Sequence, residues 1–346
     1  MDAAVEHFFS QAHWSILLGS IVVALLVLGK AADILVDQAV EFSEALRIPT
    51  VVVGATIVSL GTTAPEAAVS VLAAIKGDPG LALGNAVGSV IADTGLILGL
   101  ACLISPLRLD PKIVNRQGWL QLGSGVLLVA LCTPWTNLPE MFGQGGRLAQ
   151  GSGFLLLALL ATYLYVSVSW ARERRTESDA AQASRDGAAW LTLLKLVAAL
   201  AVVVLSADIV IPGVEEAALR ASIPESVIAA TLVAFGTSLP ELVTAVTAAR
   251  RGQGELAVGN VIGADILNVL FVAGAAAAVT RSGLHAASTF FAVLFPAMLV
   301  ILVVFRIGVF VSGDALRRGF GYVLLGAYVL YLVAGYFFLP HGPPGT

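Results

Sequence analysis

The sequence predicts an all-α membrane protein: ten transmembrane helices in two inverted five-helix repeats. Three observations predict it. Apolar residues make up 58% of the 346 residues and charged ones 12%, against about 45–50% and about 25% in soluble domains. Basic residues fall on alternate loops. Residues 48–99 align without a gap on residues 223–274, at a constant offset of 175.

A helix needs about 20 apolar residues to cross a ~30 Å hydrocarbon core. Runs bounded by charge, Gly and Pro give candidate spans at 14–40, 51–75, 81–104, 117–133 and 151–170. The second half gives 189–214, 226–249, 255–279, 287–311 and 319–339. Residues 1–13 hold Asp2 and Glu6 but no Lys or Arg, unlike the positive opening of a signal peptide, so the run from Trp14 reads as the first span. Cys102 and Cys132 lie inside apolar runs without metal spacing and read as packing residues.

Cytoplasmic loops are enriched in Lys and Arg. With the N-terminus outside, the inner loops carry Arg47, Arg108, Lys112, Arg116, Arg172, Arg174, Arg175, Arg185, Arg250, Arg251, Arg317 and Arg318. The outer loops carry only Lys76, Arg147, Arg220 and Arg281. The expectation is a multi-pass cell-membrane protein with both termini on the outer side. Its parts are a first repeat at 1–170, a short polar cytoplasmic linker at 171–188 and a second repeat at 189–346. Net charge is −4 and no basic block is present, so nucleic acid is not an expected partner; nor is an obligate protein partner.

The repeat sets GTTAPE (61–66) on GTSLPE (236–241), and GNAVGS (84–89) on GNVIGA (259–264). Upstream, 32–34 falls on 207–209 at the same offset. Five spans per half is an odd number, so the second copy enters from the opposite side. In inverted-repeat transporters, broken helices meet near the midplane and form the site.

Glu66 and Glu241 sit within apolar spans, where an ionised carboxylate costs at least about 2.5–3.5 kcal/mol. One reading is a protonated or base-paired carboxyl. Lys30, Lys195 and Arg306 are the only bases near the spans, and none is duplicated, so a bound cation is the better partner. Thr62 and Thr63 precede Glu66 by four and three residues, and Thr237 and Ser238 precede Glu241 likewise. That spacing sets their hydroxyls beside the carboxylates of their own motifs. Pro65 and Pro240 cannot donate a backbone hydrogen bond, which loosens carbonyls near Gly61 and Gly236. These are hard oxygen donors, suited to Ca²⁺ or Na⁺.

The following span adds Asn85, Ser89 and Asp93 at intervals of four, with Asn260, Ala264 and Asn268 as counterparts. Gly84, Gly88, Gly259 and Gly263 would admit a neighbouring helix closely. Asn85 and Asn260 read equally as ligands or as polar contacts between helices.

The paired G-T-[ST]-x-P-E and G-N-x-x-G motifs resemble the two α-repeats of the cation/calcium exchanger superfamily, sodium/calcium exchanger branch. The resemblance covers essentially the whole chain. It implies a secondary antiporter that expels Ca²⁺ against several Na⁺ by alternating access, with no cofactor beyond the transported ions. By position it implies a central metal cluster of Glu66, Asp93, Glu241 and Asn268. Ser59, Thr62, Thr63, Ser89, Ala234, Thr237 and Ser238 would add hydroxyl or backbone oxygens.

Four residues depart from the family pattern. Acid and amide stand as Asp93 then Asn268, where some members have the reverse. Ala264 replaces a frequent Ser, and Asp265 replaces the Asn of G-S-N, one position off the ligand stripe, where it is expected to pack or support rather than coordinate. By the same resemblance Asp33 and Asp208 belong to a helix pair that slides against the ion-binding bundle, or cap helices at the interface. The alternatives are a Ca²⁺/H⁺ or K⁺-dependent antiporter with the same site, a channel, or an intramembrane hydrolase. The chain has no G-x-G-D motif and no nucleophile–base pair for the last, and His7, His13, His285 and His341 all lie at or near span ends.

Overall fold

The computed structural model describes residues 2–177, 186–221 and 236–338. Their first half holds α1 (Asp2–Gln11), α2 (Trp14–Leu46), α3 (Thr50–Thr62), α4 (Ala64–Lys76), α5 (Pro79–Ile104), α6 (Pro111–Cys132) and α7 (Gln150–Glu177). Then come α8 (Asp186–Arg220), α9 (Leu239–Arg250), α10 (Gly254–Val279), α11 (Phe290–Ser312) and α12 (Arg318–Phe338). Among the described residues, seven helices are long and apolar enough to cross a membrane, and the bent pair α3–α4 makes an eighth. The protein is thus an all-α membrane protein. Large apolar side chains such as Leu26, Trp190, Val311 and Leu330 are exposed on its outside, a surface that calls for hydrocarbon rather than water.

Several helices extend beyond the apolar runs. Helix α2 continues past residue 40 to Leu46, and α8 continues past 214, through Pro212, to Arg220. Hydropathy marks only the apolar length, whereas backbone hydrogen bonding persists into the polar ends. Helix α6 begins at Pro111, not 117, because Asp110 accepts from the amides of Lys112 (2.9 Å) and Ile113 (3.3 Å), a standard N-cap. Lys112 and Arg116 therefore ride on a helix rather than a loop. Helix α1 was not foreseen as a separate element. Of the run 226–249, residues up to 235 lie outside the described residues, as does Arg185 of the linker.

Burial ranks the helices. In the most apolar stretch of α10 and of α5, 83% and 72% of residues are buried, against 22% for α7 and α12. The two helices that carry the G-N-x-x-G motifs are therefore central. Helices α2 and α8 pack along each other on one side. Thr192 reaches Glu41 (3.3 Å), while Arg220 donates to the carbonyls of Ala12 (2.7 Å) and Phe9 (2.6 Å), so the two run antiparallel.

Among the described residues, four short strands tie loops together. β1 (Leu107–Arg108) pairs antiparallel with β4 (Ala315–Leu316), and β2 (Gly146–Leu148) with β3 (Leu284–Ala286). Hydropathy carries no signal for strands of two or three residues.

Close helix approach occurs where α3 crosses α10. A Cβ at Gly259 would lie 2.3 Å from the Val51 carbonyl oxygen, and one at Gly263 would lie 2.5 Å from both Ala55 Cα and Ser59 Oγ. Among the described residues, a Cβ on Gly84 would meet nothing nearer than the Phe290 ring at 3.9 Å, and one on Gly88 nothing within 4 Å.

Candidate functional site

The chain breaks between α3 and α4 by 43°. Pro65 stands in the first turn of α4 and cannot continue the hydrogen-bond ladder of α3, so Glu66 begins a new helix instead of ending the old one. Pro240 takes the same place in α9, one residue before Glu241. Helices α5 and α10 each widen to a π-helical turn where the next motif residue sits, at Ala92–Ile97 and Asn268–Ala273. Such turns recur at functional sites because they free backbone groups and re-aim side chains.

These irregularities bring the two halves together. Glu66, Asp93 and Asn268 are fully buried, and Glu241 is 1% exposed. The charges of Glu66, Glu241 and Asp93 act on one another. Asn268 Nδ2 donates to Asp93 Oδ2 at 3.3 Å, joining α5 to α10.

The hydroxyls are arranged otherwise than their spacing suggested. Thr63 Oγ1 donates to Glu241 Oε1 of the other half (3.2 Å), and Thr62, which also faces Glu241, donates to the Ser59 carbonyl (3.3 Å). Ser238 in turn faces Glu66 and Asp93 without closing a hydrogen bond to either. The expected pairing within each motif is thus replaced by pairing between motifs. The 43° break turns Thr63 away from the Glu66 side of its own segment.

Thr237 is half-buried and donates to Asn85 Oδ1 (3.3 Å), whose Nδ2 reaches Ser70 Oγ (3.0 Å) and the Glu66 carbonyl (3.4 Å). Asn85 is therefore a brace between the halves. Ser59 donates to the Thr56 carbonyl (3.3 Å), and Ser89 is buried. Ala234 lies outside the described residues.

Several buried polar atoms have no protein partner among the described residues. They include both Glu66 carboxylate oxygens, Asp93 Oδ1, Glu241 Oε2, Asn268 Oδ1 and Ser238 Oγ. Buried polar atoms are ordinarily satisfied, so a concentration of orphaned oxygens from two carboxylate-bearing halves is a donor set suited to a hard cation. Among the described residues, no three His, Cys, Asp or Glu side chains stand close enough to enclose a metal by themselves. Hydroxyl and amide oxygens would have to complete the shell.

Sequence reading singled out Asp265 but missed the partners that hold it. Asp265, 1% exposed, accepts from Thr94 and from Gln121, which reaches it from α6. The available signal was Gln117, Gln121 and Ser124, a polar stripe at helical spacing in the least apolar span, and all three are buried. Asp33 is paired with Arg251 (3.1 Å), which also pairs with Asp37. Cys102 and Cys132 are buried free thiols.

The family model described as "Sodium/calcium exchanger protein" matches residues 16–169 and again 191–337. Inner membrane protein YrbG of Escherichia coli is 31% identical over 342 residues, 92% of this chain and 97% of that protein. The sodium/calcium exchanger MaX1 of Methanosarcina acetivorans is 31% identical over 341 residues, covering 90% and 96%. Among solved structures, the sodium-calcium exchanger NCX_Mj soaked with 10 mM Na⁺ and zero Ca²⁺ superposes with a TM-score of 0.76 at 25% identity, covering 94% of this chain and 99% of that one. With the family matched over both halves and full-length relatives at this identity, the chain belongs to the sodium/calcium exchanger family.

Proposed function

We propose that this protein is a secondary antiporter that exchanges Ca²⁺ for Na⁺ by alternating access, with the ions held among Glu66, Asp93, Glu241 and Asn268. The observation that carries it is the set of orphaned carboxylate and amide oxygens at a junction where Thr63 of one half bonds Glu241 of the other. Thr62, Thr63, Ser59, Ser89, Thr237, Ser238 and the Ala234 carbonyl are the flanking donors of this reading.

Three buried carboxylates cannot remain ionised without counter-charge. One Ca²⁺ or several Na⁺ neutralise them, and the two loads compete for the same oxygens. The centre left empty holds unpaired charge in a medium of low dielectric, which makes passage between inward- and outward-open forms costly. That requirement turns two uniport half-cycles into exchange. The transported ions are the only bound ions this mechanism requires, with no separate cofactor.

The chain is read as ten spans in two inverted five-helix repeats, 1–170 and 189–346, joined by a cytoplasmic linker, with both termini outside. The double family match supports two units. Contacts support the sidedness: β1–β4 and Arg251 with Asp33 and Asp37 join segments assigned inside, while β2–β3 and Arg220 with Ala12 join segments assigned outside.

The test is uptake of radiolabelled Ca²⁺ into proteoliposomes under imposed Na⁺, K⁺ or H⁺ gradients, with Glu66→Gln and Glu241→Gln alongside. Wild type is expected to accumulate Ca²⁺ when an outwardly directed Na⁺ gradient is present, and each variant to lose exchange. Uptake driven by a pH gradient alone would replace Na⁺ by H⁺ as the coupling ion. Full activity in both variants would remove the site assignment.

A further inference from the structure

The centre contains an acid that the repeat does not duplicate. At the offset of 175, Asp265 falls on Val90, so its counterpart half offers only an apolar side chain there. Asp265 is 1% exposed, and its Oδ2 accepts from the Thr94 hydroxyl and from Gln121 Nε2, which also donates to Thr94 Oγ1 (3.0 Å). Its other oxygen, Oδ1, is buried and has no protein partner. Two donors converging on one carboxylate oxygen fix its orientation. They leave the second oxygen as the open coordination position.

A neighbouring acid carries a second unpartnered oxygen. Asp93 precedes Thr94 in the same π-helical turn, its charge and that of Asp265 act on each other, and its Oδ1 is likewise buried without a partner. No Lys or Arg forms an ion pair with Asp265 among the described residues. Two carboxylates near enough for their charges to act on one another, in a buried setting, repel unless a cation neutralises them. A divalent ion needs six or more oxygens, whereas one oxygen from each acid and a few neutral donors suit a singly charged ion.

We propose that Asp265 and Asp93 form a subsite for a monovalent alkali cation beside the central cluster, with Thr94 and Gln121 positioning Asp265. It rests on the exchange reading above and deepens it, because the buried acids then number four and the Na⁺-loaded state carries one more monovalent ion than the central cluster alone would take. Thr94 and Gln121 act through Asp265 and are positioning residues. The polar face of α6 then has a function: it carries Gln121 into the centre at the expense of the helix's own apolarity.

The experiment uses the full chain in proteoliposomes. Ca²⁺ uptake is measured against Na⁺ concentration, and separately against Ca²⁺ concentration, for wild type, Asp265→Asn, Thr94→Val and Gln121→Met. Losing a charged ligand should raise the half-saturating Na⁺ concentration about tenfold in Asp265→Asn and reduce the steepness of the Na⁺ dependence, leaving Ca²⁺ half-saturation within about twofold. Thr94→Val and Gln121→Met should shift Na⁺ dependence in the same direction by less. Retained stimulation of wild type by K⁺ that vanishes in Asp265→Asn would support the subsite and make K⁺ its occupant. Unchanged Na⁺ and K⁺ dependence in Asp265→Asn, or equal shifts for Na⁺ and Ca²⁺, would overturn it. If Asp265→Asn does not fold, Thr94→Val decides by the same readouts. Absence of exchange in wild type would instead strike the functional reading, so the two failures are separate.

Discussion

Helices α10 and α5 carry the same glycine pattern, and the described residues pack differently against each. Gly259 and Gly263 lie against the backbone of α3, so closely that any side chain would strike it, while among the described residues a Cβ on Gly88 meets nothing within 4 Å and one on Gly84 only a phenylalanine ring. The repeat counterparts of the α3 contacts, 226, 230 and 234, lie outside the described residues. The polar contacts show the same asymmetry. Asn85 is fully engaged with Glu66, Ser70 and Thr237, whereas both polar atoms of its counterpart Asn260 are buried without a partner.

The strongest way to break the comparison is to fill the glycine contacts. Gly263→Ala places a methyl 2.5 Å from Ala55 Cα, and backbone cannot yield as a side-chain tip can. Overpacking of this kind costs about 1–3 kcal/mol and occasionally more. We expect Gly263→Ala and Gly259→Ala to lower the apparent melting temperature of the purified protein and to abolish Ca²⁺ uptake, and Gly88→Ala to leave the melting temperature unaltered. Equal losses at Gly263 and Gly88 would show that Gly88 is packed as closely as Gly263.

What the sequence disclosed and what it hid follow from the range of each interaction. Glu66, Glu241, Asp93 and Asn268 were legible because a charge or amide inside an apolar run is anomalous in one dimension, and the repeat doubled the anomaly. Helix interiors were legible for the same reason. The partners of those residues were not. The spacing of Thr63 and Glu66 places them on one helix face only if the helix continues, and the break before Pro65 is what sends Thr63 to Glu241 instead. Asp265 was visible as an oddity, but its link to Gln121 spans 144 residues and leaves no periodic trace.

A smaller effect tests whether the crossed hydroxyls differ as their geometry says. Thr63 makes a hydrogen bond to Glu241 at 3.2 Å, while Ser238 faces two carboxylates and bonds neither. A hydrogen bond to a charged group contributes about 1.5–3 kcal/mol. Thr63→Val should thus weaken apparent Ca²⁺ affinity by about tenfold, and Ser238→Ala by clearly less, both read from concentration dependence of uptake. The reverse order would mean that Ser238 coordinates the ion and Thr63 merely orients Glu241.

The mildest change exchanges the two halves' contributions outright. Asp93 and Asn268 are hydrogen-bonded to each other across α5 and α10, at corresponding places in the repeat. The double substitution Asp93→Asn with Asn268→Asp moves the carboxylate by the length of that contact and leaves the total charge unchanged. Either single substitution changes the charge by one, which alters the number of monovalent ions needed for neutrality and should depress exchange strongly. If the central cluster is governed by its charge, the double variant recovers most of the wild-type Ca²⁺ uptake while shifting Na⁺ dependence modestly. If the position of the acid matters as much as its presence, the double variant is no better than the singles. Asp265 makes that second outcome informative, since it lies beside Asp93 in space and its pairing is lost when the acid moves across.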